Sequence, residues 1–325
     1  MSDIPSTFKD LSPIMWIVPT LISTVLYGFY NFGARVSSAR GYNSSATIFI
    51  STLTVFIGAT LTLIYRIHQN ITPIATTPWG AIMLLAAGNG FFFATGSSLK
   101  FKALEKIPGN IAFPVLKFNT LFVVLLSLPV FGEMPEPLQW AGILLAVAAI
   151  ILLSGANRQS VPGFPTKNRT ESQSPCHNPS QSFLKSMPEG FSAGIALAIL
   201  SALTTALSAL INKTAALKSD RIAFIAFSYA VSAAVSGFMA IRKKGLRSTP
   251  TGQIMLGTGM GILNYIGFIL ILKAFSMGPL SVIHPIFSMS MVISVTLSTF
   301  VFREPFNRRT ALALIAAVIA VILVT

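Results

Sequence analysis

The sequence predicts an all-α integral membrane protein of ten transmembrane helices, arranged as two inverted five-helix repeats. Three observations carry that prediction. The 325 residues are 53% hydrophobic and only 10% charged, with a mean hydropathy of +0.73, values foreign to a domain with a water-facing surface. Apolar stretches of spanning length, roughly 20 residues, recur along the chain. The second half also repeats the first.

The spans follow in order at about 14–34, 45–65, 79–99, 109–131 and 138–154, then 190–212, 222–241, 253–273, 279–302 and 309–325. Stretches such as "GILLAVAAIILLSG" and "ALALIAAVIAVILV" are apolar all round, as helices among lipid and other helices are. A barrel strand would alternate polar with apolar. The first span is expected to stay in the chain rather than act as a leader, since its flank balances Lys9 against Asp3 and Asp10 and more spans follow. Residues 156–189 are rich in Ser, Pro, Asn and Gln, and cannot bury enough apolar surface to order themselves. They read as a flexible linker between a first repeat, 1–155, and a second, 190–325. The lone Cys176 lies there beside His177, two adjacent ligands that fill no coordination shell. No metal site is expected.

A shift of 171 lays Met83–Ser154 on Ile254–Thr325 without a gap, with about 20 identical positions, well above chance for apolar sequence. Gly88, Gly90 and Gly96 fall on Gly259, Gly261 and Gly267; Pro108 and Pro114 fall on Pro279 and Pro285; "VFGE" falls on "VFRE". Further upstream, Asn31 falls near Asn212 at a different shift. Five spans per repeat is an odd number, so the second copy enters the membrane from the opposite side. Inverted repeats of this kind enclose midplane sites in many transporters.

The phrases "GNIAFPVLKFNTLFVVLLSLPVFGEMPEPLQWAGILLAVAAIILLSG" and "PLSVIHPIFSMSMVISVTLSTFVFREPFNRRTALALIAAVIAVILV" resemble the closing part of an EamA domain of the drug/metabolite transporter superfamily. "ALSALINKTA" looks like the opening helix of a second such repeat. The resemblance implies ten helices and solute transport, often export of amino acids, other metabolites or drugs. It also assigns Pro114 and Pro285 to the fourth-helix proline and Glu133 and Glu304 to the glutamate that closes that helix. One departure is Arg303 before Glu304, where the first repeat has Gly132. The related small multidrug resistance exporters use a Glu in the first helix to exchange protons; no Asp or Glu interrupts the apolar interior of that helix here.

Candidate solute-binding residues are the polar groups within spans: Lys117, Thr120, Asn31, Tyr27, Asn89, Asn264, Tyr265 and His284. Lys117 lies roughly 12 Å along a helix begun at residue 109, near the middle of a hydrocarbon layer about 30 Å thick. An ammonium there costs on the order of 3 kcal/mol and needs a partner, either an anionic group on an anionic or zwitterionic solute or carbonyls freed by the prolines. Pro114 and Pro285 read as helix-breaking or gating positions, and Glu133 and Glu304 as structural acids that cap or pair.

No acid pair, Cys/His nucleophile or phosphate-cradling loop has the spacing for catalysis, so no enzymatic activity and no cofactor is expected. The net charge of +14 reports topology rather than nucleic-acid binding. Loops counted as odd carry most of the Lys and Arg, with Lys213 assigned to an even loop; that bias puts both termini outside, whereas the resemblance implies cytoplasmic termini. The expectation is a multi-pass protein of the cell membrane whose partners are the lipid bilayer and a small solute. The alternative is a non-transporting scaffold or receptor on the same fold.

Overall fold

The computed structural model describes residues 14–72, 77–106, 109–134, 136–156, 191–242 and 249–302, with isolated helical positions between 312 and 323. Among these the chain is all helical. The elements are α1 (Ile14–Ala39), α2 (Ser44–His68), α3 (Trp79–Lys106), α4 (Gly109–Phe131), α5 (Pro137–Ala156), α6 (Phe191–Lys218), α7 (Arg221–Arg242), α8 (Thr251–Phe275), α9 (Leu280–Ser288) and α10 (Ser290–Phe302). Six of them, α1, α2, α3, α6, α7 and α8, are long and apolar enough to cross a membrane. The linker and the tenth span expected at 309–325 lie outside the described residues or are described only in part.

Local chemistry sets the helix ends. Asn43 accepts hydrogen bonds from the amides of Ser45 (3.0 Å) and Ala46 (3.2 Å) and so caps α2. Asp220 does the same for α7 through Ile222 (2.9 Å) and Ala223 (3.0 Å). Gly132, at φ +66°, closes α4 in the left-handed conformation that a side chain resists, its amide donating to the Leu128 carbonyl. Several hydroxyls inside the helices bond back to the preceding turn, as Thr20 does to the Trp16 carbonyl and Thr54 to the Ile50 carbonyl, which satisfies them without water.

Each repeat is built into the other. Serine 23 on α1 donates to the Gly267 carbonyl of α8 at 2.8 Å, and Ser201 on α6 donates to the Gly96 carbonyl of α3 at 2.7 Å. Gly96 and Gly267 are related by the shift of 171 read in the sequence; Ser23 and Ser201 are related by 178. The same rule holds for the second helices. A Cβ on Gly261 would sit 2.5 Å from Thr54 Cβ, and one on Gly90 would sit 2.8 Å from Val231 Cβ, so a shift of 177 carries Thr54 to Val231. The expected correspondence of Asn31 with Asn212 is corrected here: a shift of 178 carries Asn31 to Ala209.

Contacts along the helices fix their directions. On α1, Trp16 meets Gly278 and Gly33 meets Met260, so α1 and α8 run antiparallel. On α2, Thr52 meets Ser236 and Arg66 meets Asp220, so α2 and α7 also run antiparallel. Ser201 with Gly96 and Ser208 with Asn89 set α6 against α3 in the same sense. By contrast Gln253 meets Thr47, Gly257 meets Ile50 and Tyr265 meets Thr62, so α2 and α8 are parallel. Helix α5 packs chiefly on α4, α9 and α10, at the margin of this core.

The ninth span differs most from expectation. It tightens at Met289, which stays right-handed at φ −66° and ψ −10°, with α9 ending at Ser288 and α10 beginning at Ser290. Between them the ladder tightens to i→i−3 bonds, Met289 N to Ile286 O at 3.0 Å and Val292 N to Met289 O at 2.8 Å. Pro285, four residues earlier, supplies no N–H to the turn before it. The first repeat's α4 runs through the corresponding position, Phe118, as continuous helix.

Candidate functional site

The tightened turn in the expected ninth span lies about 13 Å from the start of α9 at 1.5 Å per residue. Groups from three helices converge there. Thr120 on α4 shares a hydrogen bond with Ser288, 3.0 Å between hydroxyl oxygens, and Asn31 on α1 donates to the Ser290 hydroxyl at 3.5 Å. One bond thus touches each side of the break. Tyr27 meets Phe287 edge to face, with ring centroids 4.7 Å apart, and lies 5.8 Å from Tyr30. The His284 ring lies 6.4 Å from that of Phe287, centroid to centroid.

A second polar group adjoins the first through Tyr27. Tyr229 on α7 donates to Asn264 Oδ1 of α8 at 3.1 Å and packs its ring on Phe268. The hydroxyls of Tyr27, Tyr30 and Tyr229 are close neighbours. All of these groups sit near the midpoints of their helices, where an apolar environment makes each hydrogen bond count for more than it would in water.

Of the residues singled out in the sequence, Tyr27, Asn31, Thr120 and His284 therefore gather around the break, and Asn264 lies beside them. Asn89 is elsewhere, accepting from Ser208 between α3 and α6. Tyr265 is tied to Thr62 of α2 at 2.8 Å. The side chains of Lys117 and Pro114 lie outside the described residues, as does Glu304. By register Lys117 is one turn before Thr120 and corresponds to Ser288 under the shift of 171. Pro285 sits in α9 just before the break.

Glu133 is held by structure: its Oε1 pairs with Lys213 at 2.9 Å, and its Oε2 accepts from the Leu280 amide at 2.6 Å. Lys213 is corrected from a loop residue to a buried one, 3% exposed within α6. Its charge is met by Glu133 and by the Gly278 carbonyl, which is why the helix can run on past it.

Sequence reasoning missed Tyr229, Phe287, Ser288, Ser290 and Lys213. The "FSMS" run that begins three residues after His284 carried a signal, two small hydroxyls bracketing one residue shortly after a proline. Among the described residues, no three His, Cys, Asp or Glu side chains gather as a metal site would require.

A family model described as the EamA-like transporter family matches residues 14–155 and 192–325. Among curated proteins, the chain is 29% identical over 77 residues to the probable 4-amino-4-deoxy-L-arabinose-phosphoundecaprenol flippase subunit ArnE of Pseudomonas fluorescens (strain Pf0-1). That match covers 24% of this chain and 62% of the relative, less than two thirds of its length. A solved structure described only as a crystal structure of a protein superposes with a TM-score of 0.70 at 18% identity, covering 95% of this chain and 96% of the other. This last likeness is one of fold.

Proposed function

Because the chain belongs to the EamA-like transporter family, we propose that it is a secondary transporter, working as an exporter, of a small polar or amphipathic metabolite. Ten spanning helices form two inverted five-helix repeats, 1–155 and 190–325, joined by the linker at 156–189. The repeats rock to expose one midplane site to each side of the membrane in turn. The antiparallel run of the corresponding helices α2 and α7 supports the inversion.

The observation that carries this reading is the broken ninth span. A turn tightened beside a proline leaves carbonyls without their usual i→i−4 partners, and at membrane depth such groups persist only where protein covers them or where they line a polar pathway. Here Thr120 and Asn31, both from the first repeat, hold the hydroxyls on either side of a break in the second. A solute entering between the repeats can exchange these modest neutral hydrogen bonds for its own, while Tyr27 and Phe287 offer ring faces to an apolar part. Lys117, at the same level by register, supplies the countercharge for an anionic or zwitterionic head group. Tyr27, Asn31, Thr120, Asn264 and His284 are the proposed contacts, with Asn89 and Tyr265 on the flanking helices. Pro114 and Pro285 shape the moving spans, and Glu133 and Glu304 hold their ends.

The test is flux into or out of proteoliposomes with a broad panel of labelled metabolites. A solute that is carried, and whose apparent affinity falls by about three- to tenfold in Asn31→Ala, supports the site, since a neutral hydrogen bond is worth roughly 0.5–1.5 kcal/mol. A panel with no flux above empty vesicles, from protein that is folded and inserted, overturns the transporter reading and favours the scaffold.

A further inference from the structure

One carboxylate holds three segments together at one membrane face. Glu133 follows the end of α4 in the first repeat. Its Oε1 pairs with Lys213 of α6, and its Oε2 accepts from the amides of Leu280 (2.6 Å) and Ser281 (3.4 Å), the first residues of α9. Lys213 donates in turn to the Gly278 carbonyl in the turn before α9, and its ammonium lies 5.8 Å from the centre of the Phe131 ring. The pair is withdrawn from water, with side-chain exposures of 4% for Lys213 and 15% for Glu133. A surface ion pair forms and breaks cheaply; a buried one leaves two uncompensated charges unless both reach water together. The same face carries a more exposed cross-repeat pair, Arg66 with Asp220 at 3.1 Å.

The nine residues of α9 connect this pair to the broken span. Its first turn is held by Glu133, where a negative charge suits the helix N-terminus. Its last residue, Ser288, is held by Thr120 at the break. A rod about 13 Å long is thus clamped at one end and meets a tightened turn, held by Thr120, at the other. We infer that Glu133 and Lys213 form an ionic latch that keeps this face shut, and that α9 is the lever through which parting of the latch opens the midplane site to that face. The inference rests on the alternating-access reading above and assigns the latch to its gating step.

The latch can be tested without a solute. The sequence has a single cysteine, Cys176. In a Cys176→Ser background, Ser288→Cys reports access to the break by its rate of reaction with a membrane-impermeant methanethiosulfonate. Met134→Cys, at an 83% exposed position beside Glu133, identifies which side of the vesicle carries the latch. Glu133→Gln, nearly isosteric, should raise labelling at residue 288 from that side roughly tenfold, the population shift expected when about 1.4 kcal/mol is removed from the closed state. Lys213→Met added to Glu133→Gln should raise it by less than the two single effects combined, since the ion pair is lost in each, although Lys213→Met also removes the bond to the Gly278 carbonyl. The double variant also leaves no buried charge unpaired, so it keeps the test open if Lys213→Met alone does not accumulate. Unchanged labelling in a well-inserted Glu133→Gln protein, or additive effects of the two substitutions, would overturn the latch. Labelling reads the gate alone, so its failure is distinct from an absence of flux, which counts against transport.

Discussion

Thr120 and Lys117 lie one turn apart on α4, on the same helix face, and they separate the two kinds of interaction a solute can make at the break. Thr120→Val removes one neutral hydrogen bond and keeps the shape, so solute affinity should weaken by about threefold. Lys117→Met removes a charge and keeps the length. If Lys117 faces an anionic group, affinity should fall by more than about tenfold while membrane insertion is unharmed or improved. Binding measured against protein abundance checks both, and a Lys117→Met protein that binds as tightly as the parent makes that residue structural. These polar positions were legible in the sequence because a hydroxyl, amide or ammonium stands out among apolar residues. Lys213 was misread for a physical reason. Its two partners, Glu133 and Gly278, are 80 and 65 positions away along the chain, and a charge near the end of an apolar run looks like a loop until the group that neutralises it is seen.

At the scale of elements, glycine decides how near two helices come. Gly261 and Gly259 are two residues apart on α8 and face different surroundings. A Cβ at Gly261 would lie 2.5 Å from Thr54 Cβ and 2.8 Å from the Ser51 carbonyl oxygen, whereas one at Gly259 meets nothing within 4 Å. Gly261→Ala should therefore cost about 1–3 kcal/mol through overpacking, while Gly259→Ala should be neutral or stabilise by up to about 1 kcal/mol through helix propensity. Thermal unfolding in detergent distinguishes them, and equal melting temperatures would count against the close α2–α8 contact. The helices themselves were readable, since apolar runs of spanning length have few other fates. The interruption at Met289 was not, although Pro285 pointed to the right span. Which carbonyl is freed, and where the ladder tightens, depends on Thr24, Gly28 and Thr120 packing against that stretch. None of these contacts is local in sequence.

For the molecule as a whole, the two repeats need one another more than they need the segment between them. Deleting about ten residues from the middle of 156–189 should leave folding and flux largely intact, since shortening a polar connection changes little beyond closure entropy. Loss of flux from normally inserted protein would make the linker a functional element. The repeat was legible in the sequence from Met83 to Ser154 and from Ile254 onward, where a single shift of 171 holds and relates Gly90 to Gly261 and Gly96 to Gly267. It was misregistered in the first helix, because the shift falls from 178 and 177 to 171 between the second and third helices. The paired hydrogen bonds of Ser23 with Gly267 and of Ser201 with Gly96 also bear on ancestry. A bond made twice, each time between one copy and the other, is simplest to inherit from a homodimer in which it was already made twice. Since α2 and α7 lie head to tail, such a pairing joins two copies of one bundle in opposite senses, so that a single bond between unlike helices is made twice, once in each direction.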